Sequence, residues 1–282
     1  MKTIREVLAE GTSLLKNSSA ASETPFLDAL ILLTYVLGIS KEKLLASYPD
    51  KISESHYNSY CDLLNKRSKN YPVSYLIKKK EFFGLSFYVD ENVLVPRPDS
   101  ETLVEAALKI LRDYPQMTNI LDLCAGSGAL AIALKHTLPN LNVICSDLSN
   151  NALEVCRKNS ADILGKEIPS IESNLFDKIK GTFDIIITNP PYLTDKETEK
   201  MMETGWKEPD MALQGGEDGL DFIREIIYKA PDFLEKNGYL LIESSIDQTE
   251  IIRELMDSAN YYNTGIIKDL SGRNRVTAGQ RV

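Results

Sequence analysis

Beyond Pro115 the chain repeats one pattern: a short apolar run, a turn rich in Gly, Asn or Ser, then a stretch with apolar residues at helical spacing. Strands that alternate with helices pair through right-handed crossovers, which leaves a parallel sheet with helices on both faces. The strand runs are NILDLC, NVICSD, IPSIES and FDIIITN, with helices expected from about Gly128 and over 150–159. A longer helix over 220–234, a strand over 239–243, a helix over 248–258 and two final strand-like stretches complete an α/β fold.

The first seventy residues read differently, as short helices with start and stop signals. Thr3 and Glu6 form a capping box ahead of Ile4, Val7 and Leu8. Thr24 followed by Pro25 opens a second helix that Gly38 closes, a third starts at Ser40, and a fourth runs over 53–67. From Glu81 the period changes to two, which predicts a β-hairpin through EFF, Gly84 and LSFYV and then a short strand at NVLV. A further helix is expected over 99–112 with Asp99 as its N-cap. The domains are therefore a helical bundle over 1–70, a hairpin linker over 71–98 and a sheet domain over 99–282. The bundle can be a packing cap or a docking surface for a macromolecular substrate; composition does not separate the two.

Lys plus Arg is 32 against 41 for Asp plus Glu, a net charge of −9 that argues against a broad nucleic-acid-wrapping surface. The most apolar stretch, over 29–39, falls short of the roughly 20 residues a bilayer requires and is broken by Thr34 and Gly38. Glu6 and Glu10 stand where a signal peptide would be apolar, so a cytoplasmic protein with no membrane partner is expected. Cys61, Cys124, Cys145 and Cys156 form no CxxC pair and have only His56 and His136 to join them, which predicts reduced thiols and no metal.

Two segments carry chemistry. In the first, the apolar strand through Leu121 and Asp122 runs into a glycine-rich turn made by Cys124, Ala125, Gly126, Ser127 and Gly128 at a helix N-terminus. Such a turn lets a ligand approach backbone N–H groups. Gly126-x-Gly128-x-x-Ala131 also satisfies the dinucleotide-binding fingerprint. Asp147, at the end of the next strand, can accept both hydroxyl protons of an adenosine ribose, or can cap the following helix. Asp122 separates the two nucleotide readings: a carboxylate before the turn is unwelcome beside a pyrophosphate but suits a ligand with an ammonium and a sulfonium. That ligand is S-adenosylmethionine, and S-adenosylhomocysteine is its demethylated product.

The second segment delivers Asn189, Pro190, Pro191 and Tyr192 from a buried strand to the carboxyl edge of the sheet. Pro191 forces residue 190 into an extended conformation, and neither proline carries an N–H, so the Pro190 carbonyl has no competing donor beside it. With the side-chain carbonyl of Asn189 this makes two fixed acceptors, a match for the two hydrogens of a planar NH₂ group on which Tyr192 can stack. An amide nitrogen is a poor nucleophile, because resonance worth a rotation barrier of about 18–20 kcal/mol ties up its lone pair. Holding both hydrogens aligns the nitrogen and receives the positive charge that appears as a methyl arrives.

The whole pattern resembles the peptide chain release factor glutamine methyltransferases of the HemK/PrmC type, over residues 72–276. The resemblance is carried by Pro72-Val73-Ser74-Tyr75, Glu81-Phe82-Phe83-Gly84, Val95-Pro96-Arg97-Pro98-Asp99-Ser100-Glu101, the glycine turn, Asn189 to Tyr192, Glu208-Pro209, Gly215 to Asp221, and Gly272-Arg273-Asn274-Arg275-Val276. It implies a Rossmann-like class I S-adenosylmethionine-dependent methyltransferase sheet joined by a β-hairpin to a small N-terminal helical domain that contacts a release factor. It also implies cofactor binding by Asp122, the turn, Asp147, Leu175 and Asn189, and capture of the glutamine of a Gly-Gly-Gln loop by Asn189, Pro190, Pro191 and Tyr192. Asn189, Pro190 and Tyr192 would then carry the catalysis. Tyr75, Phe82 and Arg97 would shape the substrate opening. No stable nucleic-acid partner is implied, and a monomer is expected.

The sequence departs from that family at Cys124-Ala125 in place of Gly-Thr, at Lys78 where glycine is frequent, at Leu175 where an acid is usual nearby, and at Ser244-Ser245, a change that residue chemistry alone does not explain. Two other substrates share the same logic: a ribosomal-protein glutamine, and a flipped adenine in DNA, which also presents a planar NH₂. Pro96 to Glu101 favours the release-factor branch, and the charge of −9 weighs against DNA.

Overall fold

The computed structural model describes residues 2–18 and 22–282. The chain divides into two units, Met1–Lys79 with Lys200–Lys207, and Lys80–Glu199 with Glu208–Val282. Among the described residues no helix is long and apolar enough to cross a membrane.

The first unit holds α1 (Ile4–Lys16), α2 (Pro25–Leu37), α3 (Lys41–Ala46), α4 (Glu54–Arg67) and α5 (Val73–Ile77). Both hydrogen bonds of the Thr3–Glu6 capping box are present. Helix α2 starts at Pro25 and ends on a left-handed Gly38, but Thr24 makes no capping bond, because its hydroxyl donates to Asp28 Oδ1 at 3.2 Å instead. Val7, Leu32, Leu33 and Leu44 are fully buried, and the Tyr60 hydroxyl donates to the Ala29 carbonyl at 3.1 Å, so the one polar atom of that ring is satisfied inside the core. Arg67 Nε donates to Asp28 Oδ2 at 2.7 Å, tying α4 to α2. Lys78, where glycine was the familiar residue, closes α5 with φ 54°, a left-handed cap that glycine takes without steric cost.

The second unit begins with the hairpin of β1 (Lys80–Phe82) and β2 (Leu85–Phe87), which pair antiparallel. Phe82 and Phe87 meet edge to face at 6.1 Å and belong to the core of this unit, so the hairpin packs as part of it. The strand expected at NVLV does not form, although Val93 and Val95 are buried. Its backbone is engaged by side chains instead: Asp90 accepts from Asn92 N–H and Glu208 from Val95 N–H.

There follow α6 (Glu101–Asp113), β3 (Asn119–Leu123), α7 (Ala129–Thr137), β4 (Asn142–Asp147), α8 (Asn150–Leu164), β5 (Ser170–Glu172), β6 (Phe183–Thr188), α9 (Asp195–Glu203), α10 (Asp221–Lys229), β7 (Leu234–Glu243), α11 (Thr249–Ser258), β8 (Tyr261–Lys268) and β9 (Asn274–Arg281). The seven-stranded sheet has the order β5-β4-β3-β6-β7-β9-β8, parallel except for β9, which runs against both neighbours. Period-two alternation sorts the strand residues. Ile120, Ile185 and Ile187 pack with α6 and α7, whereas Leu121, Leu123 and Ile186 pack with α10 and α11. Each such side chain, fully buried, stabilises the fold by about 1.5–3 kcal/mol before entropy is counted.

Four element boundaries differ from the expected ones. Asp99 does not cap α6; it lies in a 3-10 turn, Pro98–Ser100, and its carboxylate is taken by Arg275 at 2.9 Å. Helix α8 continues to Leu164, where Gly165 supplies a left-handed cap. Helix α10 stops at Lys229, because Pro231 has no N–H to extend it, and β7 starts at Leu234, five residues before the expected Tyr239.

Candidate active site

The connections leave β3 in opposite directions: β4 and β5 lie on one side, β6 and β7 on the other. The carboxyl ends of β3 and β6 therefore splay at a switch point, where open α/β sheets bind ligands. A solvent-open cleft of about 1060 Å³ lies there, lined by Cys124, Ala125, Gly126 and Ser127 from the turn, Asp147 from β4, Leu175, and Asn189 with Pro191 from the end of β6.

The turn is built on left-handed backbone at Cys124 (φ 61°), Gly126 (φ 53°) and Gly128 (φ 76°). Gly128 does not line the cleft. A Cβ there would stand 2.5 Å from Cys156 Sγ, so glycine lets the turn sit directly on α8. Asn159, also on α8, is buried and satisfied: it accepts from Tyr88 N–H at 2.7 Å and donates to the carbonyls of Tyr88 and Ser127 at 3.0 Å, joining the hairpin exit to the turn. Burial pushes the Cys124 thiol up, so it stays neutral.

Asp147 faces the cleft as a pinned acceptor. Its Oδ2 accepts from Gly126 N–H at 2.8 Å and its Oδ1 from Ser149 N–H at 2.9 Å, while the Ser149 hydroxyl caps α8. Burial raises the carboxyl, and the backbone donors oppose that rise. Each oxygen keeps a lone pair for a ligand hydroxyl. Leu175 is buried at φ 44° beside Ser173 and Asn174, which also line the cleft, and Phe176 stacks on Phe233 at 4.6 Å. Leu175 thus presents an apolar wall.

Asp122 is not brought into the cleft. Alternation along β3 turns it under the turn, where it is fully buried and Oδ2 accepts from Ala131 N–H at 3.1 Å, while Oδ1 has no partner. Burial, with Asp147 nearby, pushes its carboxyl up to about 8. The folded state therefore holds a proton that the unfolded chain releases near pH 4. Stability present at acid pH is lost as pH rises through about 8, at up to about 1.4 kcal/mol per pH unit between those limits. We expect the unliganded protein to melt at lower temperature as pH rises from 5 to 8, and Asp122→Asn to flatten that slope in calorimetry. An unchanged slope would assign the proton elsewhere.

At the end of β6, Asn189 is half-buried, and its Nδ2 donates to Ser100 Oγ at 3.4 Å. Among the described residues no hydrogen bond ends on Asn189 Oδ1 or on the Pro190 carbonyl. The carbonyls of Tyr192 and Leu193 are covered. Gln248 Nε2 donates to the Tyr192 carbonyl at 2.9 Å, and a Cβ at Gly219 would stand 2.2 Å from that same oxygen. Gly215 N–H donates to the Leu193 carbonyl at 2.7 Å. The segment through Gly215 and Gly219 is thus a brace for this loop. Ser245 forms a capping box with Gln248, which fixes the residue that holds Tyr192 and gives the Ser244-Ser245 departure a structural reason. Pro190 and Tyr192 do not line the cleft; Tyr192 packs on the α10–α11 side, and burial pushes its hydroxyl up to about 12.

Phe82 and Arg97 line the cleft, whereas Tyr75 is buried in the first unit. Arg97 pairs with Glu208, itself almost fully buried. Residue patterns did not single out Ser100, Asn159, Glu243 or Gln248 as individual site residues. Only the position of Glu243, the last residue of a buried strand, signals a buried acid at the sheet edge.

The family model for the PrmC N-terminal domain matches residues 6–77, and that for the methyltransferase small domain matches residues 100–207. A release factor glutamine methyltransferase of Clostridium acetobutylicum is 34% identical over 99% of this chain and 98% of its own length. One from Leptospira interrogans is 38% identical over 88% of each chain. Among solved structures, a methyltransferase from Pyrococcus furiosus superposes with a TM-score of 0.52 at 17% identity, covering 77% of this chain and 98% of its own. That likeness concerns the fold, which is the class I S-adenosylmethionine-dependent methyltransferase fold.

Proposed function

The chain belongs to the release factor glutamine methyltransferase family, and we propose that it transfers a methyl group from S-adenosylmethionine to the side-chain amide nitrogen of the glutamine in the Gly-Gly-Gln loop of peptide chain release factors. The observation that carries this reading is Asn189, set on a cleft that fits an adenosyl ligand, with no hydrogen bond among the described residues on its Oδ1 or on the carbonyl of the adjoining Pro190.

The fit rests on chemistry already described. Asp147 supplies a carboxylate for two adjacent hydroxyls, Leu175 an apolar wall, and Gly126 a backbone with open space where a side chain would stand. When bound, S-adenosylmethionine supplies an electrophilic methyl group on sulfur. Asn189 and Pro190 each accept one hydrogen of the glutamine NH₂, which holds the nitrogen in line and draws its lone pair out of resonance. The same two oxygens stabilise the positive nitrogen as the methyl transfers. The methylated cation is strongly acidic and loses its proton afterwards, so no side chain needs to act as a base beforehand. Asp122 acts on the turn from beneath, as its burial dictates, and makes no direct contact with the ligand.

The helical bundle of the first unit, α1 to α5, serves as the docking domain for the release factor, and the reaction takes place in the cytoplasm. Phe26, Leu27 and Tyr35 on α2 are exposed apolar side chains suited to that role. Incubation with methyl-labelled S-adenosylmethionine and, separately, a release factor, a ribosomal-protein preparation and duplex DNA should place label on the release-factor glutamine. Label on DNA or ribosomal protein alone overturns the assignment.

A further inference from the structure

The sheet register that pairs Thr188 with Ile242 brings Glu243 alongside Asn189 at the same edge. Glu243 is 1% exposed, and its Oε2 has no hydrogen-bond partner among the described residues. The mechanism above makes no use of it. Between the two lies Ser100, also buried, which accepts from Asn189 Nδ2 at 3.4 Å and whose hydroxyl faces the Glu243 carboxyl.

The two ends of an asparagine amide have nearly the same shape, so something must decide which end faces the cleft. Ser100 alone does not, because a hydroxyl donates as readily as it accepts. We propose that Glu243 and Ser100 are positioning residues: the ionised Glu243 takes the Ser100 proton, Ser100 is left able only to accept from Asn189 Nδ2, and Asn189 Oδ1 is thereby turned toward the substrate amide. This deepens the functional reading above and rests on it.

The arrangement is sensitive to protonation. Burial pushes Glu243 up to about 7, opposed by the facing Ser100 hydroxyl and by Arg275. The charged groups that face it are Arg275 from β9, Asp99 from the turn before α6, and Arg97 from the loop ahead of that turn, and Tyr192 faces it from the loop after β6. Below that pH, a protonated Glu243 donates to Ser100 instead. The Ser100 proton then turns to Asn189, the amide rotates, and its NH₂ rather than its oxygen meets the substrate NH₂. Turnover should therefore fall on the acid side while cofactor affinity does not.

The test uses the full chain, a release factor and saturating S-adenosylmethionine, with kcat followed across neutral pH and cofactor Kd measured separately. Wild type should show an acid limb near the Glu243 value. Ser100→Ala should lose about 10- to 100-fold in kcat with Kd unchanged, Ser100→Thr should restore it, and Glu243→Gln should lower kcat and abolish the limb. Ser100→Ala within about twofold of wild type, or an acid limb that persists in Glu243→Gln, overturns the proposal even if one variant folds poorly. The two readings separate cleanly. An active wild type with unaffected variants removes only this positioning role, whereas a wild type that never labels the release factor removes the functional reading and this inference with it.

Discussion

Replacing Asn189 with alanine should lower turnover on the release factor by on the order of 10²–10³, by analogy with deleting one preorganised polar group in a dry site. In the proposed grip the side chain contributes one of two acceptors, and its loss would leave the substrate nitrogen to the Pro190 carbonyl alone. One hydrogen bond permits rotation about its axis, so the nitrogen lone pair is no longer aimed, and half of the charge stabilisation goes with it. Cofactor affinity should change far less, because the residues proposed to hold the ribose and the purine, Asp147 and Leu175, are others of the cleft lining. Single-turnover rates, compared with calorimetric cofactor binding, separate the two effects. Near-normal turnover in Asn189→Ala would mean that the amide is gripped by other atoms.

The alternation of strands and helices was legible because buried parallel strands must be apolar on both faces, and Ile185, Ile186 and Ile187 send their side chains to opposite layers of the core. The glycine turn and the Asn-Pro-Pro-Tyr loop were legible because their backbone demands so few residue types. Asp122 shows the limit of that reading. Its charge argued for a cationic ligand, but one residue of strand alternation decides between the cleft and the space beneath the turn, and an acid pushed up to about 8 is an unreliable anion.

What escaped the sequence were contacts made at long range. The expected cap at Asp99 failed because Arg275, distant in the chain, is the stronger partner for that carboxylate. Gln248 and Gly219 brace the Tyr192 carbonyl, and Asn159 joins the hairpin to the turn, yet none of these has a local signature that a single sequence exposes. Lys78 shows the reverse case, a residue of the wrong type that keeps the left-handed conformation its position demands.

Asp147→Ala should raise the Kd for S-adenosylmethionine by about 10²-fold while affecting kcat at saturation much less. Two hydrogen bonds from ribose hydroxyls to a carboxylate are each worth about 1.5–3 kcal/mol, and the cost of keeping this acid ionised in a buried position offsets part of that sum. The same substitution strands two backbone donors, since Gly126 N–H and Ser149 N–H both end on this carboxylate. The turn should therefore loosen as well, and the melting temperature should fall before any ligand is added. Asp147→Asn distinguishes the two contributions. Its single carbonyl oxygen can satisfy one of those backbone donors while offering the ribose a neutral partner, so most of the stability should return and only part of the affinity. Cofactor should raise the melting temperature of wild type through mass action and do so weakly or not at all in Asp147→Ala at the same concentration. Calorimetric affinity equal to wild type in both variants would move the ribose contact to another residue.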